Sequence, residues 1–320
     1  MKLTFSTDHL RPHERFDYWR EVRARNLFGV TASLRQEERL QFHGHFSASV
    51  LGGAILSEMR ASSYSVARTA ADISLNASDS LCLYQQAGGS SWFDTGAGEF
   101  LVPAGGLAIS HSDLPYRTRP VTAHGFDLRV LKIPLAGRDT LAGHARGLSP
   151  SLPRNDPRLH AAVSAAFNAL VADAATKPDA DFDHAVRHLA QLALLARGRV
   201  PAGLPESRAA MRFGLLQAVR DMLRRNLHRF DLSPETAAHA FSISLRQVHL
   251  LFEPTGVSFA RTLTAMRLEE AQRRLKLMPS EPVSHIAYAC GFDSLATFYR
   301  AFRATYGTTP GDMRMSSRPM

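Results

Sequence analysis

The sequence predicts a two-domain α+β protein, with a β-rich N-terminal part and an all-helical C-terminal part. Alternating apolar and polar residues between positions 28 and 150 are typical of strands. From residue 157 onward, apolar residues recur at the i, i+3, i+4 spacing of helices. A segment rich in Pro and Gly interrupts these helices, and we assign its residues 201–208 to a linker. We therefore expect domains at 1–200 and 209–320.

The N-terminal domain begins with ERFDYWREV (14–22), an amphipathic segment that predicts a helix with Phe16 and Trp19 facing inward. In GFDLRVLKI (125–133), apolar residues alternate with Asp and Arg, as expected of a half-buried strand. Short strands separated by Gly, Ser and Pro turns indicate a sandwich or a small barrel over residues 28–150.

Two amphipathic helices are predicted over residues 157–197. Their apolar stripes contain Leu159, Ala162, Val163, Ala166, Phe167, Leu170 and Val171, and then Phe182, Val186, Leu189, Ala190 and Ala193. Two interpretations remain open, because such stripes either pack on the strands of the same chain or form a dimer interface.

Charge and hydropathy limit the class of protein. The net charge is +9, and the segment from Ala209 onward holds 15 basic and nine acidic residues, a net charge of +6. This excess favours a polyanionic partner for the C-terminal domain. No apolar run approaches the roughly 18 residues of a membrane span. The N-terminus also lacks a signal-peptide stretch, so we expect a cytoplasmic protein.

A first helix-turn-helix unit is predicted over residues 232–253. Ser233 is a good N-cap, with Pro234 at the first helical position. After the turn FSIS, Ser244 caps a second short helix, LRQVHLLFE. Its apolar face contains Val248, Leu251 and Phe252, which leaves a polar face outside.

A second unit, over residues 282–305, repeats this arrangement. Gly291 supplies a left-handed turn residue between two short helices, and Ser294 caps the second of them. Phe298 and Phe302 are expected to be buried, whereas Arg300 faces outward.

A single helix over residues 258–277 joins the two units. Its apolar residues form two clusters on different sides: Phe259, Leu263 and Met266, and then Leu268, Ala271 and Leu275. A helix whose buried face changes halfway packs against two different bodies. We infer that it holds both units in successive major grooves, about 34 Å apart.

These motifs resemble those of the AraC/XylS family of transcriptional regulators. IAYACGF, SLATFYRAF and GTTP, between Ile286 and Pro310, are similar to the family's second helix-turn-helix signature. SFARTLTAMRLEEAQRRL resembles its linker helix, and LSPETAAHAFSISLRQVHLLF resembles its first unit, although Ser242 stands where the family often has Gly. ERFDYWRE and LVPAGGLAISHSDLPY resemble the family's cupin-like effector domain.

The resemblance implies specific contacts with double-stranded DNA. The residues implied to read base edges are Arg246, Gln247, His249 and Leu250 in the first unit and Leu295, Ala296, Thr297 and Arg300 in the second. Ser244, Ser294 and Arg303 are implied to contact phosphates.

The resemblance further implies a homodimeric activator that works with RNA polymerase and senses a small aromatic or carboxylate compound. Trp92, Tyr116 and Arg117 are candidate effector-binding residues of the cupin-like barrel. No cofactor is expected.

Two alternatives remain. One is a constitutive regulator whose barrel serves only dimerisation or partner binding. The other is a metalloenzyme fused to a DNA-binding domain, suggested by His43 and His45, because metal-binding cupins use such a pair. However, Ser49 and Val50 occupy the positions where a metal-ligating Glu would be needed. We therefore expect no metal site and no enzymatic activity.

Overall fold

A computed structural model describes residues 2–22, 28–122, 125–177 and 180–316. The chain forms two compact units, residues 1–214 and 215–320. The first contains all the strands of the described residues and the second is helical, so the predicted α+β class is confirmed. In the described part of the chain, no helix is both long enough and apolar enough to cross a membrane.

The strands of the first unit form two antiparallel sheets. One has six strands in the order β1-β3-β4-β11-β6-β9, and the other has five in the order β2-β5-β10-β7-β8. The strands are β1 Lys2–Ser6, β2 Thr31–Ser33, β3 Gly44–Leu51, β4 Ala54–Ala61, β5 Ser65–Arg68, β6 Ser80–Gly88, β7 Ser91–Asp94, β8 Glu99–Val102, β9 Leu107–His111, β10 Tyr116–Pro120 and β11 Phe126–Pro134. Within the described residues the sheets keep separate edges, so the predicted barrel is an open, two-sheet version of that architecture.

An apolar core holds the two sheets together. Phe126, Leu128 and Val130 of β11 belong to it or pack against it, as their alternation predicted. Phe16 and Trp19 on α1 (Arg15–Trp19) are buried in the same core. Burying an aromatic side chain fully stabilises the folded state by about 2–3 kcal/mol, because its apolar surface is removed from water. This core is therefore a main source of stability in the first unit.

Among the described residues, four further α-helices lie entirely within the first unit. They are α2 Ala70–Leu75, α3 Asp139–Ala145, α4 Pro157–Thr176 and α5 Asp183–Ala196. Asp156 caps α4 by accepting hydrogen bonds from the amides of Arg158 and Leu159. The predicted apolar stripes of α4 and α5 are buried within the chain itself. Intrachain packing therefore accounts for the apolar pattern without a second subunit.

From residue 205 to residue 316 the structure describes seven further α-helices. They are α6 Pro205–Arg225, α7 Pro234–Ala240, α8 Leu245–Phe252, α9 Phe259–Leu277, α10 Val283–Ala289, α11 Leu295–Tyr306 and α12 Pro310–Ser316. Residues 205–208, part of the predicted linker, form the first turn of α6. Pro205 at the helix start and Glu206 in the first turn both favour helix initiation, which explains this difference.

Candidate nucleic-acid interface

Each helix-turn-helix unit turns through the same backbone motif. After α7, the amide of Ser242 donates to the carbonyl of His239 (3.2 Å) and that of Ile243 donates to the carbonyl of Ala238 (3.0 Å). After α10, the amides of Gly291 and Phe292 make the corresponding bonds to Tyr288 (2.9 Å) and Ala287 (3.2 Å). This is the Schellman arrangement, which requires a left-handed residue. Ser242 has φ +51° and Gly291 has φ +82°.

Helix α8 buries one apolar face and exposes a mixed face that contains Arg246, His249 and Leu250. The side chain of Ser244 accepts a hydrogen bond from the amide of Gln247 (3.2 Å), and Oε1 of Gln247 accepts one from the amide of Ser244 (2.8 Å). This capping box fixes the first turn of α8. It also occupies the side-chain oxygen of Gln247, one of the residues predicted to read bases. Arg246, His249 and Leu250 are exposed, with Leu250 at 42%.

Helix α11 follows the same plan. Phe298 and Phe302 are fully buried, while Ala296, Thr297, Arg300 and Arg303 are exposed. The side chain of Ser294 accepts a hydrogen bond from the amide of Thr297 (3.4 Å). Leu295 is half-buried and packs against the core of this unit, so it is less available to a partner than the other predicted contacts.

Helix α9 packs on two bodies, as its sequence predicted. Near its start, Phe259 contacts Phe252 of α8, with ring centroids 5.5 Å apart. In its second half, Leu268, Ala271 and Leu275 join the core formed by α10 and α11. The two helix-turn-helix units therefore belong to one packed body that shares α9.

The arginines of residues 215–320 differ in whether a neighbouring carboxylate neutralises their charge. Several are neutralised locally; Arg225 pairs with Asp221 (2.9 Å), and Arg229 pairs with Asp231 (2.7 Å). Glu270 accepts from both Arg273 and Arg274 (2.7 Å each), and these contacts lower its pKa to about 2. By contrast, Arg246, Arg300 and Arg303 form no ion pair with any described residue and are exposed. Helices α8 and α11 thus present three exposed arginines whose charge no described carboxylate neutralises.

The three candidate effector-binding residues do not share one site. Trp92 and Arg117 lie on the paired strands β7 and β10, in a groove of about 430 Å³ on the outer face of the five-stranded sheet. Tyr116, the strand neighbour of Arg117, faces the other side and lines a cavity between the two sheets. Strand alternation separates them, since successive side chains point to opposite faces.

The cavity between the sheets has an aromatic lining and few polar groups. Tyr64, Tyr84, Phe93, Tyr116 and Phe126 form much of its wall, and its free volume is about 40 Å³.

Gln86 also lines this cavity and is 3% exposed, and its Oε1 has no hydrogen-bond partner among the described residues. Sequence reasoning did not single out Gln86. Its place on β6, with Tyr84 two positions earlier, was the available signal, because alternate residues of a strand share a face.

His43, one of the two histidines that suggested a metal site, has structural partners, and both cysteines are buried. His43 hydrogen-bonds to Asp8 (2.8 Å) and to Arg15 (2.9 Å). Cys82 and Cys290 are buried, and burial raises the pKa of each thiol to about 11. Over the described ranges, no three His, Cys, Asp or Glu side chains are grouped so that they could hold a metal ion.

Comparison with known proteins places these features in a family. The chain matches the AraC-binding-like domain over residues 19–197 and a helix-turn-helix domain over residues 237–316. It is 36% identical over 96 residues to the transcriptional activator NphR of a Rhodococcus species, covering 30% of this chain and 28% of NphR. It is 35% identical over 122 residues to the HTH-type transcriptional regulator GlxA of Rhizobium meliloti (strain 1021), covering 37% of each chain.

These matches span only about a third of the length of either relative. The crystal structure of the AraC-like transcriptional activator CuxR has a TM-score of 0.52 and 17% identity, covering 90% of this chain and all of that chain, which shows a shared fold. Because the AraC-binding-like match alone spans more than half of the sequence, the chain belongs to the AraC/XylS family of transcriptional regulators.

Proposed function

We propose that the protein is a sequence-specific DNA-binding regulator, and that α8 and α11 are its two DNA-reading helices. The observation that carries this proposal is the presence of exposed arginines without ion pairs on the outer faces of both helices. Exposed Arg246, Arg300 and Arg303, which have no ion pair among the described residues, lie on these two helices, whereas Arg225, Arg229, Arg273 and Arg274 pair with carboxylates. An unpaired arginine suits both phosphate oxygens and the O6/N7 edge of guanine.

The remaining outward side chains suit less polar parts of the groove. Leu250, Ala296 and Thr297 can contact thymine methyl groups, and His249 and the amide nitrogen of Gln247 can hydrogen-bond to base edges. The helix starts at Ser244 and Ser294 can receive phosphates. We infer a homodimeric activator that acts with RNA polymerase in the cytoplasm, at the nucleoid, with no catalytic activity of its own.

The proposal is tested by letting the full-length protein select from a library of random DNA duplexes. We expect enrichment of one site with two separate elements, and footprinting should protect both. The double variant Arg246→Ala/Arg300→Ala should recover no enriched sequence while it remains folded. Selection of no sequence by the wild-type protein at moderate salt would reject the proposed function.

We also propose that a small aromatic effector binds in the cavity between the two sheets. The aromatic walls supply apolar contact, and the unpartnered Oε1 of Gln86 calls for a hydrogen-bond donor. A buried acceptor without a partner costs about 1–3 kcal/mol, so a ligand that donates to it gains affinity. The favoured class is therefore an aromatic compound with a hydroxyl or amino group.

The size of the cavity sets a condition on this effector. The free volume of about 40 Å³ accommodates water rather than a benzene ring, since a cavity of roughly 150 Å³ is known to bind benzene in another protein. Binding must therefore displace wall side chains. Tyr116 and Phe126 are suited to move, because both are only half-buried. Such a displacement would couple occupancy to conformation, as ligand control requires.

Thermal shift and calorimetry with phenol, aniline, benzoate and toluene test the effector proposal. Phenol and aniline should bind more tightly than toluene. Gln86→Leu should reduce this preference about tenfold, the value of one neutral hydrogen bond. Arg117→Ala, in the outer groove, is the matched control and should change nothing. Preference for benzoate that depends on Arg117 and Trp92 would instead place the effector in the outer groove.

The two alternatives have their own outcomes. A constitutive regulator would bind its DNA site normally and give no thermal shift with any member of a broad panel. A metalloenzyme would purify with near-stoichiometric iron, manganese or zinc.

A further inference from the structure

The loop between α6 and α7, residues 226–233, contacts the turn of the second helix-turn-helix unit. A Cβ on Gly291 would lie 2.1 Å from the carbonyl oxygen of Leu227, so only glycine permits this approach. Gly291 lies in the second helix-turn-helix unit, between α10 and α11. Leu227 lies in the loop that precedes α7, the first helix of the first helix-turn-helix unit. The contact therefore joins two backbone segments that are not themselves part of α9.

Arg267, in the middle of α9, completes this junction. Its Nε donates to the carbonyl oxygen of Leu227 (3.3 Å), and its Nη2 donates to the carbonyl oxygen of Arg229. A Cβ on Gly291 would lie 2.9 Å from the same Nε. The guanidinium of Arg267 thus donates hydrogen bonds to two carbonyls of the loop and also packs against the turn of the second helix-turn-helix unit. Its fork geometry suits such paired acceptors, and a lysine could not reproduce it.

Hydrogen bonds within the loop and to α6 also stabilise the turn that carries Leu227. The amide of Arg229 donates to the carbonyl of Asn226 (2.9 Å), and the side-chain amide of Asn226 donates to the carbonyl of Met222 (2.8 Å) on α6. Partial burial of Arg267 lowers the pKa of its guanidinium, with the carboxylate of Asp293 acting in the opposite direction. The guanidinium is therefore drawn out of water mainly to serve backbone carbonyls.

We propose that Leu227, Arg267 and Gly291 form a clamp that fixes the rotational phase between the two DNA-reading helices. The proposal rests on the proposed function, because phase matters only if α8 and α11 enter the same duplex. A single helix connecting two bodies allows bending and twisting about its axis. The additional contact between Leu227 and Gly291 restricts this bending and twisting. The two DNA-reading helices, α8 and α11, should therefore bind DNA elements at one separation and bind other separations more weakly.

Binding to DNA of altered spacing tests the clamp. The probes are the duplex selected by the wild-type full-length chain and two derivatives with one base pair inserted or deleted between its elements. Each change rotates one element by about 34° relative to the other. The wild-type protein should lose tenfold or more in affinity for both derivatives. Arg267→Met and Arg267→Lys should bind the original duplex three- to tenfold more weakly and discriminate among the three duplexes by less than threefold.

Arg273→Met is the matched control. Arg273 lies on the same helix, is exposed and pairs only with Glu270 of that helix, so its loss should leave the spacing profile unchanged. A wild-type spacing profile in both Arg267 variants would overturn the clamp. If both variants unfold the second unit, Arg267 serves stability alone and the proposal is equally overturned. Failure of the wild-type chain to select any duplex would instead count against the proposed function.

Discussion

The two helix-turn-helix turns predict opposite responses to substitution at equivalent positions. Ser242 and Gly291 occupy the same place in the same hydrogen-bonded motif, and both have positive φ. A side chain in this conformation is strained, whereas glycine adopts it freely. Ser242→Gly should therefore stabilise the protein, and Gly291→Ala should destabilise it.

The magnitudes follow from the two environments. Relief of left-handed strain at Ser242 contributes about 1–2 kcal/mol, and the greater freedom of glycine in the unfolded chain offsets about 0.5–1 kcal/mol of it. The net expectation is roughly 0.5–1 kcal/mol of added stability. At Gly291 the strain adds to a collision, because the new Cβ would lie 2.1 Å from a backbone oxygen. Displacing that carbonyl weakens its charged hydrogen bond from Arg267, worth about 1.5–3 kcal/mol, so the total loss is about 3–5 kcal/mol.

Hydrogen exchange of the full-length chain, read by mass spectrometry, measures both changes in the second unit. Both tryptophans, Trp19 and Trp92, lie in the first unit, so urea unfolding followed by their fluorescence serves as an internal control. Peptides from α9 to α11 should exchange faster in Gly291→Ala, and peptides from α7 and α8 should exchange more slowly in Ser242→Gly. Ser242→Ala, which keeps a Cβ, should resemble the wild type.

Stabilisation by Gly291→Ala, or destabilisation by Ser242→Gly, would refute this reasoning. Either result would mean that backbone strain and the approach of Leu227 do not determine the stability of these turns.

Three further predictions concern charge and burial. Arg300→Ala should weaken specific DNA binding by about 1–3 kcal/mol without loss of thermal stability, because the side chain is exposed; unchanged affinity in a salt-controlled binding assay would remove Arg300 from the DNA-reading surface. Glu270→Gln should lower the free energy of unfolding by about 1–2 kcal/mol at pH 7, because the wild-type carboxylate has a depressed pKa of about 2. That difference should shrink as pH falls from 4.5 toward 2, and an equal difference in urea titrations at pH 7 and pH 3 would contradict the ion pairs. Cys82 and Cys290 should resist maleimide at pH 8 until urea unfolds the chain, and rapid labelling of the native protein would contradict their burial.

Local signals in the sequence were sufficient to predict the two helix-turn-helix units and the helix that joins them. The N-caps Ser233, Ser244 and Ser294 have the predicted hydrogen bonds, and the buried face of α9 changes where its apolar residues change sides. These features depend on residues within a few positions of each other. They therefore appear in the sequence as spacing and composition.

Features that depend on distant pairing could not be read in the same way. Strand β1, at residues 2–6, pairs with β3 some forty residues later and lies outside the predicted β-rich region. The opposite directions of Tyr116 and Arg117 were implied by strand alternation, but the positions of a cavity and a groove depend on how two sheets stack. The contact of Arg267 with Leu227 spans forty residues, and no local pattern announces it.

Helix α9 restricts how this protein can change over time. Each residue of an α-helix advances the chain by about 1.5 Å and turns it by about 100°. Insertion of one amino acid near the middle of α9 would rotate Leu268, Ala271 and Leu275 away from the core that they form with α10 and α11. The second helix-turn-helix unit would then be rotated relative to the first. Exchanges of side chains on α8 and α11 leave this spacing intact. New target sequences are therefore open to gradual evolution by point mutation, whereas a change in the length of the connecting helix would disrupt both units at once.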